Sequence, residues 1–115
     1  MDALENILNR VSARKLAEPF PSAYEMKKVY KAALRAPDHA WLRTSSFIEV
    51  KGEGLDKLSN IFLDFGKTIP NLPDDILKKY TDAPYRAPMI IILVNTHKEH
   101  PKVPSIEQKL STAAA

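Results

Sequence analysis

Leu4, Ile7, Leu8 and Val11 recur at spacings of three and four, the period that brings side chains to one face of an α-helix. The spacing predicts a short amphipathic helix, and Asp2 is its expected N-cap because a carboxylate can accept from the free N–H groups of a first turn. Glu18-Pro19-Phe20-Pro21 then breaks regular structure, since each proline lacks an N–H and fixes its own φ. Ser22-Ala23-Tyr24-Glu25 has the form of a capping box. Behind it Met26, Val29, Tyr30, Ala33 and Leu34 make one apolar stripe. That helix is expected to end near Ala36, because Pro37 disfavours helical geometry in the residue before it.

Residues 45–50 alternate loosely and include β-branched side chains, which predicts a strand. Lys51-Gly52-Glu53-Gly54 reads as a turn. Leu55, Leu58, Phe62 and Phe65 mark a third helix, with Gly66 as its expected end. Pro70 and Pro73 bracket a loop, and residues 74–80 read as another short helix. Residues 89–94, Met-Ile-Ile-Ile-Leu-Val, form a continuous apolar run of strand length, expected to be buried on both faces. A polar, proline-containing loop follows over 97–104. Ser105-Ile106-Glu107-Gln108 repeats the capping-box pattern, and Leu110, Ala113 and Ala114 continue a helix with no closing signal. Two strands do not make a stable buried sheet, so the pattern reads as a fold truncated before it is complete. There are no internal repeats; Arg-Ala-Pro, at Arg35 and again at Arg86, reads as an element boundary used twice.

Composition narrows the classes. A chain of 115 residues suits one domain, and 44% hydrophobic with 27% charged residues is ordinary for a soluble globular protein. The absence of cysteine excludes a disulfide framework and thiolate chemistry, and fits a reducing cytoplasm. Acidic residues stand where a signal peptide carries Lys or Arg, and the longest apolar run is too short to span a bilayer, so no membrane association is expected. The net charge of +3 is spread among mixed charges without an aromatic-interleaved basic tract, so no nucleic-acid partner is expected.

Few residues are placed for chemistry. Arg10, Ser12, Arg14 and Lys15 follow the first helix. Guanidinium groups bind phosphate through two N–H donors at once, a hydroxyl adds one more bond, and alternate residues of an extended stretch share a face. A solvated basic turn beside a helix C-terminus accounts for the same residues and, taken alone, is the better account. Arg35 and His39 on the Arg-Ala-Pro-Asp-His stretch can hold an anionic or aromatic ligand, or simply close a helix at the surface. His97 and His100 have only Glu99 beside them, too few ligands for a metal site. Trp41 and Phe47 read as packing residues. With three glycines in the chain, no Gly-x-Gly-x-x-Gly, Walker or nucleophile-elbow loop is present.

Four segments together, in order and at matching spacing, resemble the small single-domain bacterial subgroup of the nitroreductase family. They are residues 1–5 with Asn9-Arg10-Val11-Ser12-Ala13-Arg14, the stretch Arg35-Ala36-Pro37-Asp38-His39, Arg86-Ala87-Pro88 before an aliphatic strand, and His100-Pro101-Lys102-Val103-Pro104 with Glu107-Gln108. The resemblance covers essentially residues 1–115 and implies an α+β fold, helices packed on a central sheet, in a tight homodimer with FMN at the interface. Arg10 and Ser12, with Arg14 as an addition, resemble the ligands of the FMN ribityl-phosphate. Arg35 and His39 resemble residues that reach the flavin from the other subunit. The implied activity takes hydride from NADH or NADPH onto the flavin and passes electrons to a nitroaromatic, quinone or similar acceptor. Val11 stands where the family usually has a second arginine, and Thr44-Ser45 replaces its usual Pro-Trp. The family continues well past residue 115, so the resemblance is to an N-terminal portion. A different class of function, an inactive remnant serving as an interaction module, follows from the same open end and its exposed apolar surface.

Overall fold

The structure is a computed structural model and describes residues 2–115. Its elements are α1 (Ala3–Asn9), α2 (Ala23–Ala33), a 3₁₀ turn at His39–Trp41, β1 (Ser45–Lys51), α3 (Glu53–Lys67), α4 (Asp74–Asp82), a 3₁₀ turn at Ala83–Arg86, β2 (Met89–Asn95) and α5 (Ser105–Ala114). The class is α+β, as expected. Two capping boxes start the first two helices: Asp2 Oδ1 accepts from Glu5 N at 2.8 Å, and Ser22 Oγ accepts from Glu25 N at 3.3 Å. In each the glutamate returns to the N-cap N–H, so two otherwise unpaired donors are satisfied.

β1 and β2 pair antiparallel, from Ser45 opposite Asn95 to Lys51 opposite Met89. Tyr30 of α2 stacks on Phe47 with ring centroids 5.3 Å apart, and its hydroxyl donates to Glu49 on the same face at 2.7 Å. Gly52, at φ 53° and ψ −129°, makes the reversal from β1 into α3, a conformation a side chain resists. α3 and α4 then pack so closely that a Cβ on Gly66 would overlap Leu77 Cδ1. α5 lies against the far end of β2, where Asn95 donates to Gln108 O at 3.0 Å and Thr112 Oγ1 at 2.8 Å.

Five expectations fail for physical reasons. Gly66 lies inside α3 rather than ending it; its small size is needed for the α4 contact, and the helix closes at Thr68. Ser105 forms no capping box: Pro104 is the N-cap, without a side-chain bond, and Gln108, the residue three on from Ser105, bonds to the Lys98 backbone instead. β2 is not buried on both faces, because the two-stranded sheet leaves its residues half-covered and Leu93 exposed. Trp41 does not pack; it is 80% exposed. α2 also ends at Ala33, earlier than the proline required, the next residues continuing as turns.

Candidate functional site

The first candidate site begins where α1 stops. Arg10 is the C-cap, at φ −63° and ψ 128°, so the chain leaves the helix extended. Arg10 Nη1 donates to Ser12 Oγ at 3.3 Å. Four residues on, Leu16 N donates to Arg86 O at 2.7 Å, which lays this segment across the 3₁₀ turn preceding β2. Ser12, Ala13, Arg14 and Leu16 thereby line an open concavity of about 420 Å³ together with Arg86 and Ala87. Arg10 borders it through Ser12. Arg10, Arg14 and Arg86 are all exposed, and none takes part in an ion pair among the described residues. Lys15 is exposed without joining the lining, and Val11 contributes no donor. The arrangement is a set of guanidinium groups and a hydroxyl around one space, the chemistry of an oxyanion site.

The second candidate site lies beyond α2. Arg35 lines an open groove of about 750 Å³ with Leu34, Asp38, Trp41, Arg43 and Ser111. Ala40, Trp41 and Arg43 have φ of 59°, 53° and 51°. Such left-handed geometry costs about 1–2 kcal/mol per non-glycine residue, so the loop must be held by its surroundings. Asp38 does this from within: its Oδ2 accepts from Arg43 N at 2.9 Å and its backbone oxygen from Trp41 N at 3.1 Å. Lys98 Nζ donates to Leu42 O at 2.6 Å, and Ser111 Oγ donates to Pro37 O. His39 stands just outside the groove lining, its Nδ1 2.6 Å from Glu107 Oε2.

Beneath this loop lies a buried polar cluster that sequence reasoning did not single out. Asn95 Nδ2 donates to Thr44 Oγ1 at 3.1 Å, and Ser45 Oγ meets Thr112 Oγ1 at 2.7 Å. Gln108, 3% exposed, donates from Nε2 to Lys98 O at 2.8 Å and accepts at Oε1 from Lys98 N at 2.9 Å. No buried side-chain nitrogen or oxygen lacks a partner among the described residues. The cluster fixes α5 and the 96–104 loop against β2, and so sets Glu107 opposite His39. Its only sequence signal was the Thr44-Ser45 pair at the head of a strand.

Within one chain Ser12 and Arg14 line one concavity and Arg35 another, while Arg10 and His39 line neither. His97 Nε2 lies 3.2 Å from Glu99 Oε1, and His100 Nδ1 accepts from Lys102 N at 3.2 Å. Away from both sites, burial and the bond to Glu49 push the Tyr30 phenol up to about 12, while the Tyr30 and Lys51 bonds hold the Glu49 carboxyl below its ordinary range. Tyr85 is raised by its 2.6 Å bond to Asp56. Among the described residues no helix is long and apolar enough to cross a membrane.

Comparison with known proteins gives a consistent picture. The family model described as the Nitroreductase family matches residues 7–115. The chain is 39% identical over 115 residues to the protein named Putative NAD(P)H nitroreductase YdjA in Escherichia coli K12. It is 36% identical over 116 aligned residues to a Putative NAD(P)H nitroreductase of Haemophilus influenzae Rd. Each alignment takes in the whole of this chain, which spans 62% of the length of these relatives.

Proposed function

The chain belongs to the nitroreductase family, and on that premise we propose that it carries part of the flavin site of an FMN-dependent oxidoreductase. In this reading the enzyme draws electrons from NADH or NADPH and passes them to a nitroaromatic or quinone-like acceptor. The observation that carries it is the donor set around the first concavity: Arg14 and Ser12 line it, and Arg10 is tied to Ser12. These residues fit the phosphate of FMN. Because Arg10 donates to the Ser12 oxygen, the serine hydrogen stays free to donate to a phosphate oxygen. Both guanidinium groups add charge and paired donors. When bound, the flavin supplies the redox chemistry, and the protein's part is binding, orientation and electrostatics.

Arg35 and His39 act, in this proposal, on the flavin of a second copy. Their separation from the first concavity supports that division. Glu107 Oε2, 2.6 Å from Nδ1, orients the His39 ring. A homodimer is supported by surface. The accessible area is 9197 Å², against about 6,300 Å² for a compact monomer of this mass. Leu4, Ile7, Leu8, Leu34 and Trp41 are all exposed. The same surface favours a second reading, a non-catalytic interaction module. The absence of cysteine suits a cytoplasmic setting. Titration with FMN, followed by quenching of flavin fluorescence, separates the readings: the flavin-site proposal expects saturable binding that Arg10→Ala weakens roughly tenfold. Self-association without any flavin binding favours the module.

A further inference from the structure

Arg86 belongs to a segment that looks like a simple element boundary, yet the fold brings it to the first concavity. Its place there is fixed by main chain alone. Leu16 N donates to the Arg86 carbonyl at 2.7 Å, joining residues seventy positions apart. The 3₁₀ turn at Ala83–Arg86 ends at this residue, and its buried neighbour Pro84 anchors the turn. Arg86 thus lines the same concavity as Ser12 and Arg14 from a backbone that the Leu16 bond holds in place. No acidic residue lines that space, and the Arg86 guanidinium makes no ion pair among the described residues. Arg14 and Arg86, two arginines that line one concavity without counter-ions, repel one another, and an oxyanion between them removes that repulsion.

We propose that Arg86 is a further ligand of the anion bound by Arg10, Ser12 and Arg14, closing over a phosphate group from the side of β2. The proposal rests on the flavin reading for the identity of the ligand, a phosphate monoester, but not for the existence of the anion site. Arg10, Ser12 and Arg14 come from one irregular stretch; Arg86 comes from the turn leading into the sheet. A phosphate held by both walls therefore also tethers the N-terminal segment to the body of the molecule. Nothing in the sequence displays this, because the juxtaposition depends on one long-range backbone bond.

The test uses the whole chain and three ligands: FMN, riboflavin and inorganic phosphate. Arg86→Ala leaves the Leu16–Arg86 backbone bond in place, so folding is expected to survive; the far-ultraviolet circular dichroism of each variant checks this. Binding of FMN is read by flavin fluorescence, and binding of phosphate by broadening of its phosphorus resonance. Arg86→Ala is expected to weaken FMN about tenfold, Arg86→Lys by less, and riboflavin not at all. Phosphate broadening is expected to diminish in Arg86→Ala as it does in Arg14→Ala. Equal FMN affinity in wild type and Arg86→Ala, with Arg10→Ala weakened, overturns the role of Arg86 and leaves the flavin reading intact. Equal loss of FMN and riboflavin also overturns it, since that marks a structural effect. Phosphate binding that depends on Arg86 without any FMN binding keeps the anion site and removes the flavin reading. Absence of both kinds of binding overturns both.

Discussion

Single side chains decide more than their sequence neighbours suggest. Tyr30 illustrates the point: its hydroxyl donates to Glu49 Oε1 at 2.7 Å while Lys51 reaches the same carboxylate at 3.0 Å. The Glu49 carboxyl is held below its ordinary value of 4.5, first by the Tyr30 bond. Its contribution to stability is therefore present above 4.5 and is lost as pH falls through the depressed folded value. Tyr30 is raised from 10.0 to about 12, so its contribution is present below 10.0 and is lost on rising through about 12. Denaturation of wild type and Tyr30→Phe should then differ by a constant amount between roughly pH 5 and 9, with the gap narrowing in acid. A gap unchanged down to about pH 3 would contradict the bond. At the same scale the sequence put Arg10, Ser12 and Arg14 at alternate positions, donors suited to an anion, although taken alone a solvated basic turn is the better account of them. It hid Arg86 and the Asn95–Gln108–Thr112 cluster, whose meaning lies wholly in which distant backbone they meet.

Elements were legible where local chemistry decides them. The Ser22–Glu25 box starts α2 because serine and glutamate satisfy each other's turn across three residues, whatever lies elsewhere. The similar pattern at Ser105 misleads, because Pro104 occupies the cap and Gln108, three residues on, is held by the Lys98 backbone across the fold. Two substitutions separate the cases. Ser22→Ala should lower stability by about 1 kcal/mol, whereas Ser105→Ala should change it by no more than about 0.5 kcal/mol; equal losses in thermal or urea denaturation would contradict this assignment. Gly66 is the other lesson. A glycine near a helix end reads as a stop, but here the lack of a side chain admits α4, with Tyr80 Cδ2 at 3.4 Å and Leu72 Cδ2 at 3.6 Å from where a Cβ would stand. Alanine would gain about 1 kcal/mol of helix propensity, but its Cβ overlaps Leu77 Cδ1, so a net loss of about 1 kcal/mol is expected. Valine fills more space and should cost about 2–3 kcal/mol in the same assay.

The whole molecule is open. Its radius of gyration is 17.5 Å, where a compact chain of this length reaches about 13 Å. The α1 stripe explains part of that: Leu4, Ile7 and Leu8 keep a helical period and stay exposed, Leu8 at 73%. Amphipathic patterning was thus read correctly as a helix, but its partner was not in the pattern. Leu8→Asp should leave the stability of a monomer nearly unchanged, because Leu8 is largely exposed, yet weaken the proposed dimer at least tenfold by sedimentation equilibrium. The most direct test of the account is sedimentation velocity with detection in the flavin's visible band. Mixed with FMN, the chain should carry the flavin in a boundary of twice its 12.9 kDa mass, and Arg10→Ala should carry less of it. Folded protein that sediments while all the flavin remains free would contradict it.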